Sequence, residues 1–212
     1  MKHSLFILFL FVSLVSFAQK KSADTLYLMN GRIVVAPVLD TNLFSATIID
    51  PEDSTKRMSI ESETMFAIKF HNGGLFYYYQ EDTVRNWFTR DEMWLFMQGE
   101  RDAKKGFKPW GAFYGSMACG LVGGASGLVL GTVGTFFGPV VPIAFFTTVG
   151  IPKVRIKHNT VTTPTNLDYD VYILGYEREA RAKRRRYSMV GGGIGVALGY
   201  IAYFSLRNLV LK

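Results

Sequence analysis

The stretch that decides the fold is WGAFYGSMACGLVGGASGLVLGTVGTFF, residues 110–137. It contains no charged residue, and small residues recur in it every four positions: Gly111, Gly115, Cys119, Gly123, Gly127 and Gly131, continued by Thr135. Residues four apart share a helix face, so the spacing predicts a helix with one smooth side. In lipid, where packing rather than the hydrophobic effect drives association, such a face lets two backbones approach closely.

A second apolar segment near the C-terminus repeats the pattern. Residues 189–206 carry Gly191, Gly195 and Gly199. We therefore predict an integral membrane protein in which residues 110–152 and a C-terminal helix at 188–206 form a transmembrane helical hairpin, packed through glycine faces. The apolar piece at 139–151 is only about 20 Å long as a helix, against about 30 Å of hydrocarbon, so we expect a re-entrant or short second helix there; a full span is the alternative.

The first residues have the composition of a secretory signal. Met1-Lys2-His3 is basic, residues 5–17 are apolar, and small residues precede a cleavage point after Ala18. We expect residues 1–18 to be removed and the mature chain to be exported, with an uncleaved anchor as the alternative. The single cysteine, Cys119, excludes an internal disulfide.

Residues 19–82 alternate apolar and polar positions in short runs, which predicts strands near 24–29, 32–39, 44–49, 57–60, 65–70 and 75–80. Asn30-Gly31 is a strong signal for a two-residue hairpin turn. We expect one small, strongly bent sheet or barrel, which makes the chain an α+β membrane protein. Residues 87–106 then predict an amphipathic helix, because Thr89 and Glu92 have the spacing of a capping box.

Positive charge is concentrated in residues 153–187, which hold 9 Lys and Arg against 4 Asp and Glu. If the chain crosses the membrane once before residue 153 and returns at 189–206, this loop and helix face the cytoplasm, as the positive-inside rule favours. The residues expected to set topology and to meet lipid headgroups are Arg181, Lys183, Arg184, Arg185 and Arg186. Phosphate or nucleic-acid binding is the weaker alternative, because no groove-reading motif accompanies these charges.

The sequence offers no catalytic constellation. His71 and His158 lack partners at metal-ligand spacing, and the run Gly191-Gly192-Gly193 has neither a preceding strand nor a following Lys-Ser/Thr. We therefore expect no catalytic residues, no cofactor and no metal. The expected partners are membrane lipids and either further copies of the chain or other envelope membrane proteins, and we expect no nucleic acid.

The order of these parts resembles cell-envelope proteins of Bacteroidota that combine a small SH3-like or Sm-like β module with glycine-zipper transmembrane helices. The motifs that carry the resemblance are DTLYLMNGRI at 24–33, GERDA at 99–103 in the capped helix, Gly175-Tyr176 before the basic helix, and the two glycine repeats. The resemblance implies no activity. We expect a non-enzymatic protein of the inner membrane with its β module in the periplasm; the outer membrane is the alternative location, and transport or a channel is the alternative function, ahead of an enzyme acting on lipid or cell-wall material.

Overall fold

The computed structural model describes residues 23–82 and 86–210. The predicted signal sequence, residues 1–18, lies outside the described residues. The chain divides after Asp82 into two compact units, one of β-strands and one of helices. The α+β class is therefore confirmed.

The β unit consists of two small antiparallel sheets. One has the strand order β2-β1-β6-β7 and the other the order β3-β4-β5. The strands are β1 (Asp24–Leu28), β2 (Ile33–Ala36), β3 (Val38–Thr41), β4 (Ser45–Ile49), β5 (Arg57–Glu61), β6 (Met65–Lys69) and β7 (Leu75–Tyr77). Each predicted run contains a strand, but the run at 32–39 is divided at Pro37, which has no N–H to donate to a ladder. The two halves belong to different sheets, so the β unit has two small sheets and not the one strongly bent sheet or barrel that we expected.

Alternate residues of β1 and β4 contribute to the core of the β unit, whereas β6 buries four consecutive residues. Leu26 and Leu28 of β1 and Ala46 and Ile48 of β4 are buried in one cluster, together with residues of β2 and β6. In β1 and β4 this is the pattern expected where one face of a strand is covered and the other is more exposed.

Asp24 joins three separate parts of the β unit. Its buried carboxylate accepts hydrogen bonds from the backbone N–H of Val38 (2.8 Å) and of His71 (2.8 Å), and it lies 3.1 Å from Nδ1 of His71. Burial alone raises the pKa of Asp24, but the hydrogen bonds from Val38 and His71 and the charge of His71 outweigh it, so the pKa lies below the usual 3.8.

The helical unit contains five α-helices among its described residues. They are α1 (Arg90–Gly106), α2 (Trp110–Ala125), α3 (Gly127–Phe137), α4 (Val140–Thr148) and α5 (Asp170–Val210). The predicted capping box is confirmed: Thr89 accepts from the backbone N–H of Glu92, and the Glu92 side chain accepts from the backbone N–H of Thr89. Helix α5 has 41 residues and is about 60 Å long, which lets it pass alongside both α1 and α2.

The apolar stretch at 110–137 is not one helix, contrary to the expectation of a helix with one smooth side. Helix α2 ends at Ala125, and α3 leaves at 98° to it. The hydroxyl of Ser126 lies 2.6 Å from the carbonyl oxygen of Gly123 and 2.8 Å from that of Gly134, so it meets backbone groups that the bend frees. Gly131 breaks α3 with φ +63°, a conformation that favours glycine.

The expected hairpin is wrong in its direction, because α2 and the second half of α5 run parallel. Backbone carbonyls of α2 face glycines of α5 in ascending order on both helices, namely Phe113 with Gly191, Met117 with Gly195, and Leu121 with Gly199. After α2 the chain turns back alongside it before α5 begins, since Gly138 faces Gly123 and the later Phe145 of α4 faces the earlier Gly115.

The first half of α5 packs on α1, with Gly175 against the backbone of Phe96. Segments in direct contact cannot lie on opposite sides of a bilayer. The placement of the basic residues 153–187 across the membrane from α1 is therefore wrong. Charge patterning alone suggested that placement, and helix packing overrides it.

We expect the β unit to lose stability in acid through Asp24. Because its pKa is depressed in the folded state, the stabilisation is complete above the unfolded value of 3.8 and is lost as pH falls through the lower folded value. Asp24→Asn should destabilise the unit at pH 7 by about 1–3 kcal/mol, through loss of charge-assisted hydrogen bonds, and should flatten its acid dependence. Hydrogen exchange of peptides within residues 24–69 measures both effects. The exposed Glu52→Gln is the matched control, and equal acid slopes for Asp24→Asn and the parent would contradict the assignment.

Candidate functional site

The most distinctive site is a contact between helix backbones that we call the glycine seam: Gly120 and Gly124 of α2 with Gly191, Gly195 and Gly199 of α5. A Cβ added at any of these glycines would come closer to backbone atoms of the other helix than the 3.0 Å that real Cβ atoms keep. At Gly120 the nearest atom is the carbonyl oxygen of Gly192, at 2.5 Å. The two backbones therefore touch with no side chain between them.

A second pair of glycines makes the same kind of contact between α1 and the first half of α5. A Cβ at Gly99 would overlap the backbone of Tyr172, and one at Gly175 would overlap the backbone of Phe96. Glycine is thus required at two levels of α5, once in the apolar half and once in the charged half. Sequence reasoning missed Gly99 and Gly175, because each stands alone among charged and bulky residues.

The residues of the predicted four-residue repeat at 111–131, which we call the glycine ladder, do not all face the same part of the structure. Gly115 faces the ring of Phe145, Gly123 faces the backbone of Gly138, and Gly127 lies against Thr135 and Tyr203. Gly111 and Gly131 have open space around them, and Cys119 is a half-buried free thiol. The reason is geometric: four residues turn an α-helix by about 400°, so each step of the ladder rotates by about 40° and six members cannot share one face.

The glycines of α2 that pack against the backbone of α5 lie one position later in the sequence than the predicted repeat. Gly120 and Gly124 belong to the seam, and Ser116 lies against Gly192. They form their own four-residue repeat, which was visible in the sequence but was masked by the longer ladder beside it. In α5 the repeat has only three members, so its rotation stays small and all three glycines face α2.

Among the basic residues, Lys183 has a structural partner that the sequence did not reveal. Its Nζ donates to the carbonyl oxygens of Ala103 (3.1 Å), Lys104 and Phe107 (3.1 Å), at the C-terminal end of α1. The carbonyl of Ala103 also accepts from the backbone N–H of Phe107 at 3.1 Å, so Lys183 adds a charged donor at this end of α1, where a cation complements the helix dipole. Desolvation by burial is the largest effect on Lys183 and lowers its pKa; nearby cations add to the lowering and Glu179 opposes it.

The neighbouring arginines divide into two groups. Arg181 bonds Glu177 at 2.7 Å, and Arg184 donates to the carbonyl of Pro152 at 2.7 Å while its guanidinium lies 5.7 Å from the ring centre of Phe107. Arg185 and Arg186 are exposed. Arg181 and Arg184 therefore have partners within the chain, whereas Arg185 and Arg186 are open to the surroundings.

A buried polar cluster fastens residues 153–169 onto α1 and α5. The Asp102 carboxylate accepts from the hydroxyl of Tyr172 (2.7 Å) and from the backbone N–H (2.9 Å) and hydroxyl (2.6 Å) of Thr162. The hydroxyls of Tyr176 and Thr160 lie 2.7 Å apart. Burial, with the Asp102 contact, raises the pKa of Tyr172 well above its usual value, so this phenol stays protonated and acts as a hydrogen-bond donor.

The helical unit also buries a carboxylate with incomplete partners. Glu100 is 4% exposed, and its nearest cation is Arg178 at 3.7 Å. Burial raises the pKa of Glu100, against the lowering by Arg178 and Lys104. No nucleophile or histidine joins it in any contact that the structure shows within residues 86–210.

The described part of the chain contains no group of three metal-ligating side chains. No protein-family model matches the chain, and comparison with curated proteins and with solved structures finds no significant similarity. What the site offers is packing, helix capping and exposed positive charge.

We expect Gly195→Ala to weaken the contact of α2 with α5, because the new Cβ would overlap the backbone of Met117. Overpacking of this kind costs about 1–3 kcal/mol. The matched control is Gly193→Ala on the same helix, where the Cβ meets open space. The loss of thermal stability in detergent, followed by circular dichroism, should be confined to Gly195→Ala. Equal melting temperatures for the two variants would contradict the seam.

We expect Lys183→Met to destabilise the contact of α1 with α5 by about 1–3 kcal/mol, since it removes the charged donor that α5 supplies to carbonyls at the end of α1. Methionine keeps an unbranched side chain that is one atom shorter, and it removes the charge and the donors. Arg186→Met is the control for loss of one positive charge at an exposed position. Hydrogen exchange in the last turn of α1 should increase for Lys183→Met alone; an equal increase in both variants would overturn the capping role.

Proposed function

We propose that this chain is a non-enzymatic integral membrane protein of the cell envelope, whose glycine-packed helices hold a small β module at the periplasmic surface of a membrane. The observation that carries the proposal is the apolar exterior around the glycine seam. Glycine makes this contact close, and large apolar side chains point away from it.

The exposure of α5 supports a membrane location. The segment Asp170–Arg207 is long and apolar enough to cross a bilayer, and only 28% of its apolar 18-residue stretch is buried. The central helix of a soluble protein buries most of a stretch of this kind. The exposed side chains include Met189, Val190, Ile201 and Phe204 of α5, together with Val129 and Phe136 of α3. Lipid is the solvent that suits this surface.

The proposed topology follows from the packing. Helix α2 has 16 residues, about 24 Å, which is short of the hydrocarbon thickness of about 30 Å. The chain bends after it and returns through α4 beside α2. We therefore propose that residues 110–152 form a re-entrant structure that begins and ends on one side, and that residues 188–206 make the full crossing. Irregular backbone within a membrane is tolerated where protein covers it.

In this topology the basic residues 153–187 lie on the same side as α1. No apolar segment separates α1 from the β unit in the sequence, so the β unit shares that side too. If the N-terminal segment exports the β unit, the basic residues meet periplasmic headgroups rather than anchoring a cytoplasmic loop. Assembly into a homo-oligomer stays a prediction, because the seam is used within one chain.

Transport is the second candidate, and the broken α2–α3 region is the observation that favours it. Discontinuous helices often surround substrate or ion sites. Against it, residues 110–148 and 188–206 contain no charged side chain, whereas ion and proton paths usually have one. Flux from purified protein in liposomes tests this candidate directly.

The topology is tested by single cysteines at Ser54, Thr165 and Asn208 in a Cys119→Ser background, labelled by an impermeant maleimide in intact cells and after permeabilisation. We expect Ser54 and Thr165 to be labelled from the same side and Asn208 only from the other. The protein should also stay in the membrane pellet at alkaline pH. Release at alkaline pH would refute a membrane role, and labelling of Ser54 and Thr165 from opposite sides would refute the re-entrant topology.

A further inference from the structure

We infer that the helical unit binds one anionic phospholipid, with its phosphate in a basic pocket and an acyl chain in an adjoining apolar groove, the two separated by Phe107. The inference rests on the proposed membrane location and adds to it a defined site and a headgroup class. Neither the pocket nor the groove belongs to the glycine seam.

The basic pocket lies where α1 ends and the chain returns from α4. It has a volume of about 220 Å³, and the cations that line it are Lys108, Arg155 and Lys157. None of the three has a carboxylate partner among the residues that the structure describes. Asn159 and Thr160 add polar atoms to the wall. Three unpaired cations around a cavity of this size fit a phosphate, which binds through charge-assisted hydrogen bonds.

The apolar groove lies on the other side of Phe107, which lines both cavities. Its volume is about 590 Å³, and its walls include Pro109 and Ala112 before and within α2 and Phe145 of α4. Arg184 is the single charged residue on its lining. An acyl chain suits such a surface, whereas a free phosphate has nothing to gain from it.

The surrounding residues match the depth at which lipid headgroups lie. Trp110 lies two residues after Lys108 of the basic pocket. Its ring stacks on that of Tyr114, with 6.0 Å between the ring centres, and meets the ring of Tyr187 edge-on, with 5.8 Å between the centres. Clusters of Trp and Tyr are typical of the membrane interface. An amphiphile with its charge towards Lys108 and its chain towards Phe145 would therefore lie in the orientation of the surrounding lipid. A polynucleotide would leave the groove empty.

The test is native mass spectrometry of the full-length protein with added phosphatidylglycerol or phosphatidylcholine. We expect a preference for phosphatidylglycerol that falls at least about fivefold in the triple variant Lys108→Gln, Arg155→Gln, Lys157→Gln. The control removes the same charge at exposed cations outside the pocket, with Lys105→Gln, Arg185→Gln and Arg186→Gln, and should keep the preference. Circular dichroism confirms that both variants are folded.

A separate variant tests the groove without disturbing the fold. Gly111 lines the groove, and a Cβ there meets nothing within 4 Å, so Gly111→Leu fills the groove without a clash at its Cβ. It should weaken phosphatidylglycerol binding several-fold, whereas Gly193→Leu, also at an open position, should not. Inorganic phosphate and glycerol phosphate should fail to displace the lipid at millimolar concentration.

Three results would overturn the inference. They are equal loss of preference in the pocket and control triple variants, full lipid binding by Gly111→Leu, and displacement of the lipid by inorganic phosphate, which would make the pocket a site for free phosphate. A protein that stays in the membrane pellet but shows no anionic preference refutes the lipid site and leaves the proposed function standing. A protein released from the membrane at alkaline pH refutes the proposed function itself.

Discussion

Direct contact between helix backbones along α5 is the constraint on which the helical unit depends. Glycines at 175, 191, 195 and 199 remove the side chains that would hold α1 and α2 away from it. Because the glycines of α5 serve both neighbours, one 41-residue helix fixes the positions of α1 and α2 along a common axis. The parallel direction, the bend at Ser126 and the return through α4 all follow, since the intervening chain must come back to the level at which α5 begins.

Local features of this chain were predictable because short-range chemistry determines them. The capping box at Thr89 depends on two side chains three residues apart, and the strands of the β unit follow from alternation. Asn30-Gly31 correctly marked the hairpin between β1 and β2, but the predicted two-residue turn is wrong: only Gly31 has a positive φ (73°), and Leu28 pairs with Arg32 across a three-residue loop. Even the division at Pro37 has a local cause, although it determines which sheet each half joins. The hydrogen bonds of Asp24 were not predictable, because its partners Val38 and His71 are distant in sequence.

The faces and directions of the helices were not predictable in the same way. A four-residue repeat of glycine identifies a close-packed helix, but a repeat of six members turns too far around the helix to define one face. The seam uses Gly120 and Gly124, and not the predicted Gly115 and Gly123. The basic segment was misplaced for a related reason. Charge patterning gives an average tendency for loops, whereas Lys183 reaches the carbonyls of Ala103 and Phe107 across about 80 residues of sequence and ties the segment to α1.

The parallel arrangement of α2 and α5 is tested most directly by spin-label distances in a Cys119→Ser background. Labels at the exposed pairs Tyr114/Val190 and Val122/Leu198 lie at matching levels, whereas the crossed pairs Tyr114/Leu198 and Val122/Val190 are offset by about 12 Å along the helices. Dipolar electron paramagnetic resonance in nanodiscs should give shorter distances for the matching pairs. Shorter distances for the crossed pairs would show an antiparallel hairpin and contradict the account.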